Sequence, residues 1–270
     1  HELAAVTKAS QNASDDAVLF NRVRGSGIPV VTNLYGSNTR LRELIGAGAN
    51  SFCHAWSRML DASRQRSTAA TTPGEAPVDL IAGNLSDLPL ITYHAQDSGP
   101  YFTSAIYLAK NPETGIPNLS FHRSMYVSNQ ELRVRLGSSH DLARYQSRAE
   151  TADQPLEAAL LIGVSPEVFL AACASVPTEW NELELAAGIA NRPIETYRGR
   201  SVDLDIPAST EIVIEGQFVP NERRNEGPFG EFLGYYVPAG DNHVFEVREV
   251  YWRKDPIFHS ILCGSPEDRL

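Results

Sequence analysis

From about residue 90 onward the chain is a succession of short β-branched and aromatic runs separated by turn residues, and this pattern limits the fold more than any other feature. The runs read LITYHA, YFTSAIYLAK, LSFHRSMYVS, ELRVRLG, EIVIEGQFV, HVFEVREVYW and PIFHSILCG. Residues of these types suit a pleated, partly buried surface. Turn chemistry such as Asn-Pro-Glu-Thr-Gly at 111–115 links them, so mostly antiparallel strands in a barrel or sandwich are expected. One helix is expected among them, where Ser165 serves as N-cap, Pro166 stands in the first turn and Glu167 follows, ahead of VFLAACA.

The first part of the chain reads differently. IPVVTNLYG at 28–36 is a short apolar run closed by Gly36, and Ser37 then caps a helix in which Leu41, Leu44 and Ile45 recur at helical spacing. Phe52, Trp56, Met59 and Leu60 repeat that spacing in a second helix, and residues 66–80 form a polar, Pro/Gly-bearing loop. These signals predict an α/β domain over 1–92 and a β-rich domain over 93–270, with no internal repeat.

At 270 residues, with 42% hydrophobic and 21% charged residues, the chain can bury one large core or two smaller ones. Its formal charge of −10 repels nucleic acid and anionic membrane. An anionic ligand must therefore meet a local cluster of donors. Cys53, Cys173 and Cys263 are far apart and outside any C-x-x-C pattern, which suits a reducing cytoplasm better than a zinc site or a disulfide framework. No run reaches the length of a membrane span, and the start lacks the order of a secretory signal. A first residue other than Met and a stop directly after a strand-like segment read as a piece of a longer protein.

Two groups of residues carry chemistry. If residues 118–128 form one strand, alternation puts Arg123 on a face with Leu119, Phe121 and Met125, where a guanidinium needs a carboxylate partner. Glu226 and Glu231, in the stretch NEGPFGEFLGYY, are the candidates, and Gly227 and Gly230 are expected to let that backbone fold close around a ligand. A structural ion pair beside a hairpin turn satisfies the same pattern. The second group is Asn118, His140, Glu182 and Glu184, whose oxygen and imidazole donors suit Mn²⁺ or Mg²⁺ better than a closed zinc site. His140 also fits as the cap of the helix that follows it. No G-x-S-x-G, P-loop or G-x-G-x-x-G is present, which weighs against serine hydrolases, nucleotide hydrolases and Rossmann dehydrogenases.

Taken together, VTNLYGSNTRL, DSGPYFTSAIYLAKNPETGIPNLSFHRSMYV, GSSHDLARY, NELELAAG, IVIEGQF and above all EGPFGEFLGYY resemble the UbiD-like decarboxylases, over nearly the whole chain. The resemblance implies an α+β fold, in which an N-terminal α/β unit leads into a split β-barrel that binds prenylated flavin mononucleotide. On this resemblance, the family's C-terminal α/β oligomerisation domain is expected to be absent from this chain. It implies a catalytic trio of Arg123, Glu226 and Glu231, metal ligands Asn118, His140 and Glu182, and cofactor contacts at Thr103 and Ser104. Ala174, Ser175 and Pro177 fall near the family's potassium-binding and flavin-edge loop.

The implied reaction is reversible, non-oxidative decarboxylation of an aromatic, heteroaromatic or α,β-unsaturated acid, which needs an electron sink that no side chain provides. A glutamate in a dry pocket suits the role of proton donor, and that role is expected of Glu231. Arg123 would orient the carboxylates, Glu226 would balance its charge, and a divalent ion would neutralise the flavin phosphate. His122 hints at aromatic acids, although alternation turns it away from Arg123. The expected partners are the acid substrate, a flavin prenyltransferase that supplies the cofactor, and further copies in a homodimer or homohexamer. Two other classes stay open: a non-catalytic flavin- or metal-binding subunit of an active partner, and a flavin-free hydrolase using Glu226 and Glu231, which the nearby Arg123 disfavours.

Overall fold

The computed structural model describes residues 2–48, 51–64 and 70–269. Residues 66–69 of the polar loop lie outside them. The framework is a nine-stranded sheet with strands in the order Tyr101–Phe102, Ser124–Ser128, Glu131–Val134, Gly240–Trp252, Ile212–Glu226, Leu156–Ile162, Ile106–Lys110 and Pro117–Phe121, and with Ile81–Gly83 pairing Gly240–Trp252 from the side. Its neighbours all pair antiparallel.

One hairpin serves both ends of that sheet. Tyr101–Phe102 pairs with Ser124–Ser128, and farther along the same hairpin Ile106–Lys110 pairs with Pro117–Phe121. The first half continues into Glu131–Val134, whereas the second half joins Leu156–Ile162 at the opposite end of the strand order. The sheet must therefore curl until its ends approach, and both arms of the hairpin break at the same level, at Thr103–Ala105 and His122–Arg123. The result is a curled, split sheet and no closed barrel.

This corrects the reading of 118–128 as one strand. Leu119 belongs to one hydrophobic cluster, with Phe121 packed against it, while Met125 belongs to another, so the predicted common face is divided at Arg123. YFTSAIYLAK is likewise two strands, LITYHA is extended but outside any strand, and only Phe258–His259 of PIFHSILCG is a strand. The turn at 111–115 forms as expected, with Gly115 at φ 73° and its N–H donated to the Asn111 carbonyl at 2.8 Å.

The sheet is apolar on both faces because it separates two cores. Along Leu156–Ile162, Ala158, Leu160 and Ile162 face the cluster inside the curl, which includes Tyr107, Val134, Phe218 and Phe245. Ala159 and Leu161 face the other cluster, built with Phe169, Leu183 and Leu185 of the covering helices. A strand buried on both sides reads as a continuous apolar run, as LEAALLI does. Each fully buried Leu or Ile contributes roughly 1.5–3 kcal/mol by transfer from water.

Ser37 caps Asn38–Leu44, accepting from the Arg40 N–H at 3.4 Å, and Phe52–Arg64 follows. Pro166–Ala172 has the expected first-turn proline and Ser165 at the N-cap position, but the Ser165 side chain makes no capping hydrogen bond. Two further helices are present: Asp141–Thr151, which follows His140 as anticipated, and Glu182–Ala190, which was not anticipated. Asn181 caps the latter by accepting from the Leu183 N–H at 2.9 Å. Thr71–Pro73, within the expected loop, pairs with Ile194–Arg198. Strand Phe258–His259 runs parallel to Val30–Thr32, which itself pairs with Val18–Phe20.

Candidate active site

The break at His122–Arg123 frees Arg123 from the sheet ladder, and its side chain reaches the end of a strand that is not its neighbour in the sheet order. Glu226 is the last residue of Ile212–Glu226, and its carboxylate accepts from Arg123 Nη2 at 2.9 Å. Gly227 follows at φ 92°, a conformation open to glycine, then a cis bond to Pro228 and the two-residue strand Phe229–Gly230. Glu231 comes next and accepts from Arg123 Nη1. The two glutamates so share the two arms of one guanidinium.

The segment between them is held from below. Asp97 accepts the Gly230 N–H at 2.9 Å, and Ser98 donates its N–H to the Pro228 carbonyl at 3.0 Å. A Cβ on Gly230 would come within 2.5 Å of the His94 ring, so this glycine makes room for protein rather than for a ligand. Phe229 is buried, lies 4.3 Å from the Tyr101 ring and carries the Arg123 guanidinium 4.8 Å over its face.

The carboxylates differ in surroundings. The Glu226 side chain is 0% exposed and also accepts from Tyr101 Oη at 2.8 Å and Asn242 Nδ2 at 2.9 Å. Each partner donates, so Glu226 acts only as an acceptor. Burial pushes the Tyr101 phenol well above its ordinary range and keeps it a neutral donor. Glu231 is 25% exposed, with the second guanidinium near it, that of Arg135, at 3.8 Å. Arg123 Nε is buried without a partner among the described side chains.

Asn118 and Glu182 also meet. Asn118 Nδ2 donates to Glu182 Oε1 at 2.8 Å, and Glu182 Oε2 accepts the Leu119 N–H at 3.2 Å. Burial raises the Glu182 carboxyl to about 7, opposed by these hydrogen bonds. Asn118 Oδ1 is buried and unpartnered, an oxygen acceptor suited to a hard cation. His140 is the N-cap residue of Asp141–Thr151 without a side-chain capping bond, and its ring lies 5.1 Å from that of His122. Among the described residues no three His, Cys, Asp or Glu side chains form a group fit for a metal ion, so the case for one rests on Asn118 and Glu182. Glu184 is exposed on its helix.

His122 does turn away from the trio. Its ring bonds Ser120 Oγ at 3.0 Å, and burial followed by the nearby His140 lowers it to about 3. Thr103 donates to the Ile261 carbonyl at 2.7 Å and Ser104 to that of His259, so both hydroxyls tie the split of the sheet to the C-terminal segment. Ala174, Ser175 and Pro177 lie in the loop between Pro166–Ala172 and Glu182–Ala190. Reasoning from sequence missed Tyr101, Asn242, Phe229 and Arg135. Alternation in ELRVRLG sets Arg135 opposite the buried Val134, but no local signal ties Tyr101 or Asn242 to Glu226.

A curled, split sheet with an arginine between two glutamates at its broken corner defines the class to which this chain is to be compared. The chain belongs to the UbiD family: it matches the 3-octaprenyl-4-hydroxybenzoate carboxy-lyase Rift-related domain over residues 69–266 and the corresponding N-terminal domain over residues 1–60. It is similar to an evolved dimeric form of the UbiD-class enzyme HmfF from Pelotomaculum thermopropionicum in complex with prFMN, at 35% identity and a TM-score of 0.89, covering 99% of this chain and 62% of that one. Vanillic acid decarboxylase of Sedimentibacter hydroxybenzoicus has a TM-score of 0.89 at 27% identity, covering 98% and 59%. Among curated relatives, anhydromevalonate phosphate decarboxylase of Methanothermobacter thermautotrophicus is 30% identical over 255 residues, which are 94% of this chain and 59% of that protein. The chain thus spans about three fifths of the relatives it matches. Among the described residues no helix is long and apolar enough to cross a membrane.

Proposed function

We propose that this chain forms the cofactor-binding and proton-transferring part of a prenylated-FMN-dependent carboxy-lyase, which releases CO₂ from an aromatic, heteroaromatic or α,β-unsaturated acid. The observation that carries this reading is the asymmetry of two glutamates on one guanidinium: Glu226 sealed among three donors, Glu231 a quarter exposed. A mere ion pair requires no such division, whereas a proton donor needs a route to solvent and a fixed neighbour needs none. Both carboxylates sit on one arginine instead of flanking a sugar, which also disfavours the hydrolase reading.

Bound prenylated FMN would supply the electron sink as the bond between the acid's carbon and its carboxylate breaks. Arg123 holds Glu226 and Glu231 in place. Glu231 delivers a proton from its carboxyl oxygen to the carbon that CO₂ leaves, and takes another from solvent at its exposed edge. In reverse, it removes that proton. Asn118 and Glu182, joined by His140, would hold Mn²⁺ or Mg²⁺ against the flavin phosphate, and Ala174, Ser175 and Pro177 would border a K⁺ site. A flavin prenyltransferase would supply the cofactor, and the whole protein would assemble as a homodimer or homohexamer.

The test is to co-produce the whole protein with a flavin prenyltransferase, purify it with manganese, and measure the visible spectrum, the mass of the bound flavin and CO₂ release from a panel of aromatic and acrylic acids. Prenylated FMN together with CO₂ release supports the proposal. A colourless protein that binds metal alone sinks it in favour of a non-catalytic binding subunit.

A further inference from the structure

Arg135 is the guanidinium at this site that the trio does not use. Its side chain is 42% exposed, and its nearest acid, Glu231, is 3.8 Å away, beyond hydrogen-bond reach. Arginines close by are otherwise occupied: Arg133 donates to Glu131 at 3.1 Å, Arg224 to Glu131 at 2.5 Å and Arg223 to Glu150 at 2.7 Å. The structure gives the Arg135 side chain no hydrogen-bond partner among the described residues, which leaves a planar fork of donors open at the rim.

Charge points the same way. With Glu231 carrying the proton that it donates, Arg123 and Glu226 balance each other, and Arg135 is left as an uncompensated positive charge in a chain that is anionic overall. Arg135 lies on the solvent side of Glu231, while Arg123 lies on the buried side. Beyond Glu231, the turn carrying Phe232, Leu233 and Tyr235 exposes apolar side chains. Glu231 therefore stands between a buried cation, an exposed cation and an apolar surface.

We infer that Arg135 forms a second anion subsite, and that the acid this site decarboxylates has an apolar frame with another anionic group, a carboxylate or a phosphate, besides the carboxylate it loses. The inference rests on the carboxy-lyase reading and names the substrate class of that site. Once Glu231 meets the reacting carbon, the far end of a short frame falls toward the rim, where a guanidinium can take either oxyanion in a forked pair.

The experiment uses the whole protein loaded with prenylated FMN and three acids on one frame: cinnamate, its ring-carboxylated analogue and its ring-phosphorylated analogue. The wild type is expected to favour at least one dianion over cinnamate by about tenfold or more in kcat/KM, and Arg135→Gln to reduce that ratio to about threefold or less, chiefly through KM. Arg135→Lys, which keeps the charge and loses the fork, should retain part of the preference. Which dianion responds separates a carboxylate from a phosphate. The inference is overturned if the wild type favours cinnamate, if the preference survives in Arg135→Gln, or if Arg135→Gln weakens all three acids equally, since Arg135 would then serve Glu231 or the departing carboxylate. Absence of turnover with all three acids and with the wider panel removes the carboxy-lyase reading itself, and this inference with it.

Discussion

Tyr101 and Glu226, 125 residues apart in sequence, meet in the interior, where the phenol donates to Glu226 Oε1 at 2.8 Å. The other oxygen, Oε2, takes Arg123 and Asn242. Tyr101→Phe removes the partner of Oε1 and leaves a buried acceptor unmet, which costs about 1–3 kcal/mol, or a fall in Tm of roughly 3–9 °C. A thermal melt of purified variant and wild type checks this. An unchanged Tm would mean that water replaces the phenol and that Glu226 is not held as described.

Glu231→Gln keeps the shape of the side chain but removes the transferable proton. Turnover is expected to fall by about 100-fold or more, while flavin content and visible spectrum stay as in the wild type. Side-by-side assays of CO₂ release and bound flavin decide it. Normal decarboxylation by this variant would strip Glu231 of its role.

Gly227→Ala tests the backbone that spaces the two glutamates. At φ 92°, with Ala239 Cα 3.3 Å from the position of the new Cβ, alanine is strained and crowded. A left-handed conformation costs a non-glycine residue roughly 1–2 kcal/mol, so a lower Tm and a larger loss of activity than of stability are expected. Urea unfolding alongside the activity assay separates the two effects, and wild-type values in both would overturn the account of this turn.

His243 gives stability a pH dependence of known sign. Burial first, then the nearby Arg223, lowers its folded-state value from 6.5 to about 4. The unfolded chain takes up a proton as pH falls through 6.5, whereas the folded chain does not until about 4. Its contribution is complete above that upper value and is lost across the window as pH drops. The slope is at most about 1.4 kcal/mol per pH unit, reduced by solvent because the ring is only partly buried. Urea unfolding between neutral pH and the lower end of the window should show a shallower decline for His243→Gln than for the wild type; parallel declines would exclude His243 as the source.

Much of this protein is legible before folding because it depends on local chemistry. Ser37 and Ser165 mark helix starts and Gly115 marks a hairpin turn, whereas the strand Leu156–Ile162 was missed, because burial on both faces removes the alternation that betrays a half-buried strand. The closeness of Glu226 and Glu231 follows from five residues of sequence and two glycines. Local chemistry failed at Arg123, where simple alternation predicted one strand and the chain makes two. That break arises because one hairpin supplies both ends of a curled sheet, a demand set by strands 131–134 and 156–162 and not by residues 122–123 themselves. Tertiary structure alone decided that Arg123 bridges both acids, that Tyr101 and Asn242 seal Glu226, and that Arg135 is left open beside Glu231. Sequence patterns report which face of an element avoids water. Hydrogen bonds between elements depend on how curled layers bring distant backbones together, and no local periodicity carries that information.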